Sequence, residues 1–314
     1  MYLVTGGAGF IGSNIVKALV ERGEQVRVLD NFSTGSWDNL AEVTDRVEVL
    51  EGDLRDAGVL RRALQGVRYV SHQAALRSVP RSVDDPLSTD EVNTHGTLQL
   101  LVAARDVGTV KRLVYASSSS VYGDSPLLPK EESQTPCPIS PYAVSKLAGE
   151  YYCRTFSLLY GLETVSLRYF NVFGPNQSPE SKYAAVVPLF IRAALQGEPL
   201  LVHGDGEQSR DFTYIDNVVQ ANLLAFTAEG VAGEVFNVAC NERHSVMEIA
   251  KLVERLVGKP VQIQHTPPRP GDVRHTQAAI HKAQRLLGYQ VRVGFEEGMK
   301  RTVEWLKGQI AVAR

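Results

Sequence analysis

Residues Tyr142-Ala143-Val144-Ser145-Lys146 place a phenol and an ammonium group at i and i+4, directly after Pro141. Proline suits the first position of a helix, and on a helix side chains four apart share a face. A phenol with a pKa of about 10 is a poor base at neutral pH. An ammonium beside it favours the phenolate, which can then take the proton of an alcohol. Upstream, Tyr115-Ala116-Ser117-Ser118-Ser119-Ser120-Val121-Tyr122-Gly123 leaves the end of an expected strand. A hydroxyl there, with Ser118 as the candidate, could hydrogen-bond the alcohol being oxidised.

A cofactor site is expected near the N-terminus. Gly6-Gly7-Ala8-Gly9-Phe10-Ile11-Gly12 lies between the first expected strand and the first expected helix. Glycines there let the backbone turn sharply and approach a pyrophosphate resting on the helix N-terminus, and Gly12 permits close helix–sheet packing. Such a motif is weak alone, and its strand–loop–helix context is what strengthens it. Asp30 ends the second expected strand, where a carboxylate can accept hydrogen bonds from adenosine ribose hydroxyls. It would repel a 2′-phosphate, which favours NAD over NADP. Asp53, ending the third strand, could reach the adenine amino group or cap the next helix. With NAD bound, the oxidised nicotinamide would join Lys146 in lowering the Tyr142 pKa.

These residues need elements to hold them. Short apolar runs predict strands at Tyr2–Thr5, Gln25–Asp30, Val47–Glu51, Arg68–Gln73, Lys111–Ser117 and Thr164–Tyr169. Between them lie helix-period segments, the first burying Ile11, Ile15, Leu19 and Val20, and a long one from Pro141 to Tyr160. This alternation builds a doubly wound parallel sheet of the Rossmann type, with ligands at the C-terminal strand edge. Beyond Asn171, Pro and Gly punctuate the chain and the elements shorten. Helices are expected near Ala184–Gln196, Ile215–Thr227, Val246–Val257 and Phe295–Lys307, with a strand at Val235–Ala239. The reading is an α/β chain in which residues 1–170, with parts of 211–240, bind NAD. Residues 171–210 and 241–314 form a smaller mixed α/β substrate-binding region.

Bulk properties narrow the class. A chain of 314 residues with 44% hydrophobic content can bury a large core. The 33 Lys and Arg against 35 Asp and Glu give a net charge of −2, which argues against a nucleic-acid partner. Cys137, Cys153 and Cys240 have no metal-ligand spacing and read as free, reduced thiols. No apolar run reaches the length of a membrane span, and no signal peptide is visible. A cytoplasmic protein without metal, membrane or nucleic-acid partner is expected.

Taken together, the chain closely resembles extended short-chain dehydrogenases that act on nucleotide sugars. The matching stretches are Thr5–Gly12, Asp30–Gly35, His72-Gln73-Ala74-Ala75, Ser118, Tyr142-x-x-x-Lys146, Arg168–Pro175, Gly204-Asp205-Gly206, Ser209–Phe212 and Arg269-Pro270-Gly271-Asp272. Within that family it is most similar to UDP-glucose and UDP-N-acetylglucosamine 4-epimerases. The resemblance implies Ser118, Tyr142 and Lys146 as catalytic residues. It places NAD against Gly6, Gly9, Phe10, Ile11, Gly12, Asp30, Asn31, Ser33, Thr34, Gly35, Asp53 and Leu54. Gln73, Ala74, Ala75, Tyr142, Lys146 and Tyr169 would complete that site, with Arg77 meeting the NAD pyrophosphate. For the UDP-sugar it implies Ser118, Ser119, Tyr142, Ala185, Val186 and Val187. Asn171 and Arg210 would hold the UDP pyrophosphate with help from Arg269, Asp272 would contact the uridine ribose, and Leu201, Val202 and His203 would flank the uracil.

The expected reaction is interconversion of UDP-glucose and UDP-galactose through a 4-keto sugar that turns over while UDP stays anchored. In related epimerases the Thr276 position borders the sugar, and its small side chain leaves room for an N-acetyl group, so UDP-GlcNAc and UDP-GalNAc are expected substrates too. The Asp-Glu pair of 4,6-dehydratases is replaced by Ser119 and Ser120. Arg77 and Arg81 keep a UDP-glucuronate 4-epimerase or decarboxylase open as an alternative. A non-catalytic NAD sensor would not need the Tyr142–Lys146 pair. A homodimer formed through about Thr89–Arg105 and Pro141–Tyr160 is implied by resemblance alone.

Overall fold

A computed structural model describes residues 1–180, 184–268 and 273–312. Seven strands form one parallel sheet: β1 (Tyr2–Thr5), β2 (Val26–Asp30), β3 (Val47–Glu51), β4 (Tyr69–His72), β5 (Arg112–Ser118), β6 (Glu163–Tyr169) and β7 (Glu234–Val238). Their spatial order is β7-β6-β5-β4-β1-β2-β3. Every pairing is parallel. Strand order reverses between β1 and β4, and the crevice this opens at the C-terminal edge is where such sheets take ligands. Strands β1, β2, β4, β5 and β6 are buried along nearly their whole length because helices cover both faces.

Alternation along each strand divides the interior in two. Val4, Val28 and Val114 face one core, while Leu3, Leu29 and Leu113 face the other. Helices α1 (Phe10–Glu21) and α5 (Ile215–Thr227) pack together over the first side. Helices α2 (Gly96–Val107) and α3 (Pro141–Tyr160) cover the second. Ser140 caps α3 by accepting from Ala143 N at 3.2 Å, with Pro141 following, and left-handed Gly161 ends the helix.

The C-terminal part is assembled from short pieces. Helices α4 (Val186–Gln196), α6 (Val246–Val257) and α7 (Phe295–Val312) pack on one another. Three two-stranded pairs accompany them: Val172–Phe173 with Thr213–Tyr214, Ser209–Arg210 with His244–Ser245, and Leu200–His203 with Ile263–Thr266. Phe173, Phe212, Tyr214 and Phe295 form an aromatic knot among them, with the His244 ring stacked on Phe295 at 4.0 Å. Strand β7 belongs to the main sheet although it follows the change of texture at Asn171, because Val235 and Phe236 pair with Ser166 and Leu167 of β6. No helix among the described residues is long and apolar enough to cross a membrane.

Candidate active site

A cleft of about 1320 Å³ runs along the C-terminal ends of β1, β2, β4, β5 and β6. Its first wall is the glycine loop. Gly6 has φ +67°, and a Cβ there would meet Ala74 N at 2.6 Å; a Cβ on Gly12 would meet Gly6 O at 2.1 Å. Neither position admits a side chain, so the loop stays thin enough for a pyrophosphate to reach its N–H groups. Asp30 lines the cleft, yet its carboxylate is already engaged, accepting from Ala8 N at 2.9 Å and Phe32 N at 2.8 Å. Burial raises its pKa. It fixes the loop and keeps acceptor capacity toward the cleft.

Beyond Asp30, Asn31, Ser33, Thr34 and Leu54 line the same end. Gly35 does not: it packs against Ala8, where a Cβ would stand 2.9 Å from backbone and side chain. The neighbouring Asp53 accepts from Asn31 Nδ2 and from Arg55. Those bonds hold its pKa below the usual carboxylate range. The helix after it is capped by Asp56 instead, through Gly58 N and Val59 N.

Tyr142 and Lys146 lie on the inner face of α3 and open on the cleft, with Ser118 and Ser119 at the end of β5 opposite. Ser118 Oγ accepts from Ser120 N at 3.2 Å and shares a hydrogen bond with Ser120 Oγ at 2.9 Å. Lys146 Nζ donates to Ala116 O at 2.8 Å and stands 5.9 Å from the Tyr142 ring centre. Burial lowers the Lys146 pKa to about 8. The Tyr142 phenol departs from expectation. Burial raises its pKa above the ordinary value, opposed by the Ser118 hydroxyl and the Arg77 charge. Desolvation outweighs both, so positive charge added to the cleft would favour the phenolate.

Arg77 faces this catalytic end, close enough to Tyr142 for their charges to interact. It leaves a loop whose next residue, Ser78, holds φ +113°, a conformation rare for a side-chain-bearing residue. Asn93 ties that loop to α3: it accepts from Leu76 N, donates to Leu76 O and donates to Ser145 Oγ. Asn93 sits in a π-helical turn, Glu91–His95, between the short helix Pro86–Asp90 and α2. Wide turns of this kind recur at functional sites. Gln73, Ala74, Ala75 and Tyr169 also line the cleft, and Tyr169 Oη bonds Gln73 Nε2 and Asn222 Nδ2.

Asn171, Ala185, Arg210 and Thr276 line the far end of the cleft. There it adjoins a second pocket of about 280 Å³ bounded by Val186, Val187, Leu201, His203 and Phe212. Val202 lines neither pocket. Strand alternation turns it into the core at 0% exposure while Leu201 faces out. Thr276 N donates to Ser209 O at 3.0 Å, and its buried Oγ1 has no hydrogen-bond partner among the described residues. Arg210 donates to the Ser209 and Arg274 carbonyls. Arg269 and Asp272 lie outside the described residues. Among the cleft residues that escaped the sequence reading are Asn176, which donates to Ser13 Oγ on α1, and Gln177, whose buried Oε1 has no partner among the described residues. Their signal was position, directly after Gly174-Pro175 at the sheet's C-terminal edge. Among the described residues no cluster of His, Cys, Asp or Glu is placed to hold a metal.

A Rossmann-type sheet, a glycine loop no side chain can enter, and a Tyr–Lys helix facing a serine define a dinucleotide-dependent enzyme of the short-chain dehydrogenase class. The chain belongs to the NAD dependent epimerase/dehydratase family, whose profile matches residues 2–239. It is similar to a UDP-glucose 4-epimerase of Mycolicibacterium smegmatis, at 39% identity over 98% of each chain. The crystal structure of a Thermus thermophilus UDP-glucose 4-epimerase complexed with NAD superposes with a TM-score of 0.90 at 40% identity, covering 98% of this chain and 99% of that one. A UDP-N-acetylglucosamine 4-epimerase of Methanobrevibacter ruminantium gives a TM-score of 0.93 at 39% identity, over 98% of each chain. Likeness at somewhat lower identity extends to a UDP-glucuronate 4-epimerase of Thermodesulfobacterium geofontis and a dTDP-glucose 4,6-dehydratase of Streptomyces venezuelae. The protein is thus a nucleotide-sugar epimerase/dehydratase family enzyme with NAD as cofactor.

Proposed function

We propose that the protein is a UDP-hexose 4-epimerase that interconverts UDP-glucose and UDP-galactose and accepts their N-acetylated counterparts. The observation that carries this reading is the facing of Tyr142 and Lys146 on α3 with Ser118 on β5, across a cleft that continues into a partly apolar pocket. Tyr142 is the base for the 4-hydroxyl proton, Ser118 shares that proton network, and Lys146 holds positive charge beneath it. Bound NAD supplies the acceptor, and then the donor, of the hydrogen at C4, and because each turnover restores it NAD stays with the enzyme. Residues 1–170 with parts of 211–240 hold NAD, with Gly6, Gly9, Gly12 and Asp30 as its principal contacts.

Residues 171–210 and 241–314 hold the UDP-sugar. Asn171 and Arg210 bind the pyrophosphate, while Leu201, His203 and Phe212 shape an apolar slot for the uracil. Anchoring at the nucleotide end leaves the hexose free to present its other face.

A carboxylate pair for dehydration would have to stand beside Ser118, and those positions are Ser119 and Ser120. Among the described residues the acids lining the cleft are Asp30, Asp38 and Asp53 at the NAD end, and Glu180, which pairs with Arg192. Arg77 beside Tyr142 favours one second reading, a UDP-glucuronate 4-epimerase. Incubation with UDP-glucose, UDP-GlcNAc and UDP-glucuronate separately, followed by product chromatography, tests both. C4 epimers of the first two are expected; conversion of UDP-glucuronate alone would replace the reading. Tyr142→Phe should lose roughly 100-fold or more in kcat and keep NAD, and unchanged turnover would refute the assignment. We further read the protein as a cytoplasmic homodimer, consistent with three free thiols and with exposed apolar residues on α3.

A further inference from the structure

Beneath Ser118 and Lys146 lies a buried ion pair to which the proposed reaction gives no role. Glu150 and Arg168 are each 3% exposed. Arg168 Nε donates to Glu150 Oε1 at 2.9 Å and Nη2 donates to Oε2 at 2.7 Å, and the Ser117 hydroxyl donates to the same carboxylate. Ser117 and Arg168 are register partners on β5 and β6, so their side chains leave the same face of the sheet. Glu150 comes down to them from α3, one turn beyond Lys146 and two beyond Tyr142. One carboxylate thus joins three elements directly under the catalytic end of the cleft.

Stability alone does not call for charges here, since apolar side chains of similar volume hold such a junction at least as well as a buried ion pair. What the charges add is visible at the neighbours of Ser117. Ala116 O accepts from Lys146 Nζ on one side of it, and Ser118 points into the cleft on the other. The groups facing Lys146 are Tyr115 on β5, with its ring centre at 5.1 Å, His72 on β4, and Tyr142, Glu150 and Cys153 on its own helix; Arg168 on β6 pairs with Glu150. Burial favours the protonated forms of the two phenols and the thiol and the neutral imidazole. Among the described residues Glu150 is the carboxyl group of this set, clasped by Arg168.

We propose that Glu150 is a positioning residue of the site: clasped by Arg168, it draws the Ser117–Ser118 end of β5 onto α3 and supplies the negative charge that keeps the Lys146 ammonium protonated at neutral pH. The kinetic part of this proposal rests on the epimerase reading above; the electrostatic part does not. The test is a 13Cε-lysine NMR titration of the NAD-loaded protein, with the Lys146 signal identified by its absence in Lys146→Met. In Glu150→Gln the Lys146 titration should move down by about one pH unit or more. With UDP-galactose as substrate, kcat should fall roughly tenfold or more while KM changes by less than about threefold.

An unmoved Lys146 titration overturns the charge role, and a kcat equal to wild type overturns the positioning role. If Glu150→Gln does not fold, the double variant Glu150→Gln/Arg168→Gln leaves no unpaired buried arginine. It should show a smaller downward shift, and no shift there is equally fatal. A wild type that turns over no UDP-hexose sinks the epimerase reading, while the titration still decides this one.

Discussion

The pKa values of Tyr142 and Lys146 are pushed in opposite directions by the same burial. The phenol is raised and the ammonium is lowered to about 8, because each loses solvation of its charged form. Proximity of Tyr and Lys was legible from their spacing, but this balance was not, since desolvation depends on what α3 packs against. The pocket end is similar. Thr276 was readable as a small residue in the right neighbourhood, whereas its Oγ1, without a partner among the described residues, and its tether to Ser209 follow from a turn no local pattern announces. On the epimerase reading proposed above, its size sets specificity: a tyrosine there would fill space that an N-acetyl group needs, and a pocket that overlaps a substituent rejects it sterically. Thr276→Tyr should lower kcat/KM for UDP-GlcNAc by roughly 10–200-fold, the range one misfitted group commands, with a much smaller change for UDP-glucose. Equal losses on both substrates would contradict the assignment.

The strands and long helices were legible because their short runs are rich in apolar and β-branched residues and because capping residues are local; Ile215–Thr227 and Val246–Val257 fall where the periodicity predicts. The two-residue strands beside Asn171 and Arg210 were not, for they exist only through distant partners. Nor was the π turn at Glu91–His95, which the sequence disguises as part of one helix. That turn helps hold β4. Thr97 Oγ1 donates to Asn93 O, so it can only accept from His72 Nε2, and His72 Nδ1 in turn accepts from Thr5 Oγ1. The imidazole is a neutral strut between β1, β4 and α2, its pKa lowered from 6.5 to about 3 by burial and then by Lys146. A depressed folded-state pKa gives stability that is present above about 6.5 and lost as pH falls toward 3. By pH 5 the loss should reach about 2 kcal/mol. Asp211 runs the other way, its carboxyl raised to about 7 by burial, so the wild-type curve alone is uninformative. The readout is the difference between wild type and His72→Gln in urea unfolding. Destabilisation by the substitution should shrink by about 2 kcal/mol between pH 7 and pH 5; a difference constant with pH would remove the strut from the account.

The whole chain places its chemistry on one face of α3 and leaves apolar residues on the other. Val144, Tyr151 and Leu158 are 52%, 56% and 73% exposed and recur every seven residues, so they form one line along the helix. Leu159 and Tyr160 are also exposed at the end of the helix, where the Arg105 guanidinium of α2 sits 4.9 Å over the Tyr160 ring. A monomer seldom leaves such a patch in water. Two copies related by a two-fold axis would bury it by setting α2 and α3 of one against those of the other. That arrangement would also brace the helix that carries Tyr142 and Lys146 from behind, linking assembly to the stability of the site without placing any partner residue in it. Leu158→Glu puts a carboxylate at the most exposed point of the line, where pairing would force it out of water at a cost of several kcal/mol. Light scattering coupled to size exclusion should therefore show a dimer for the wild type and a monomer for Leu158→Glu at micromolar concentration. The variant should melt at lower temperature and retain NAD. A wild type that stays monomeric as concentration rises, or a variant that still pairs, would leave the stripe on α3 without this partner.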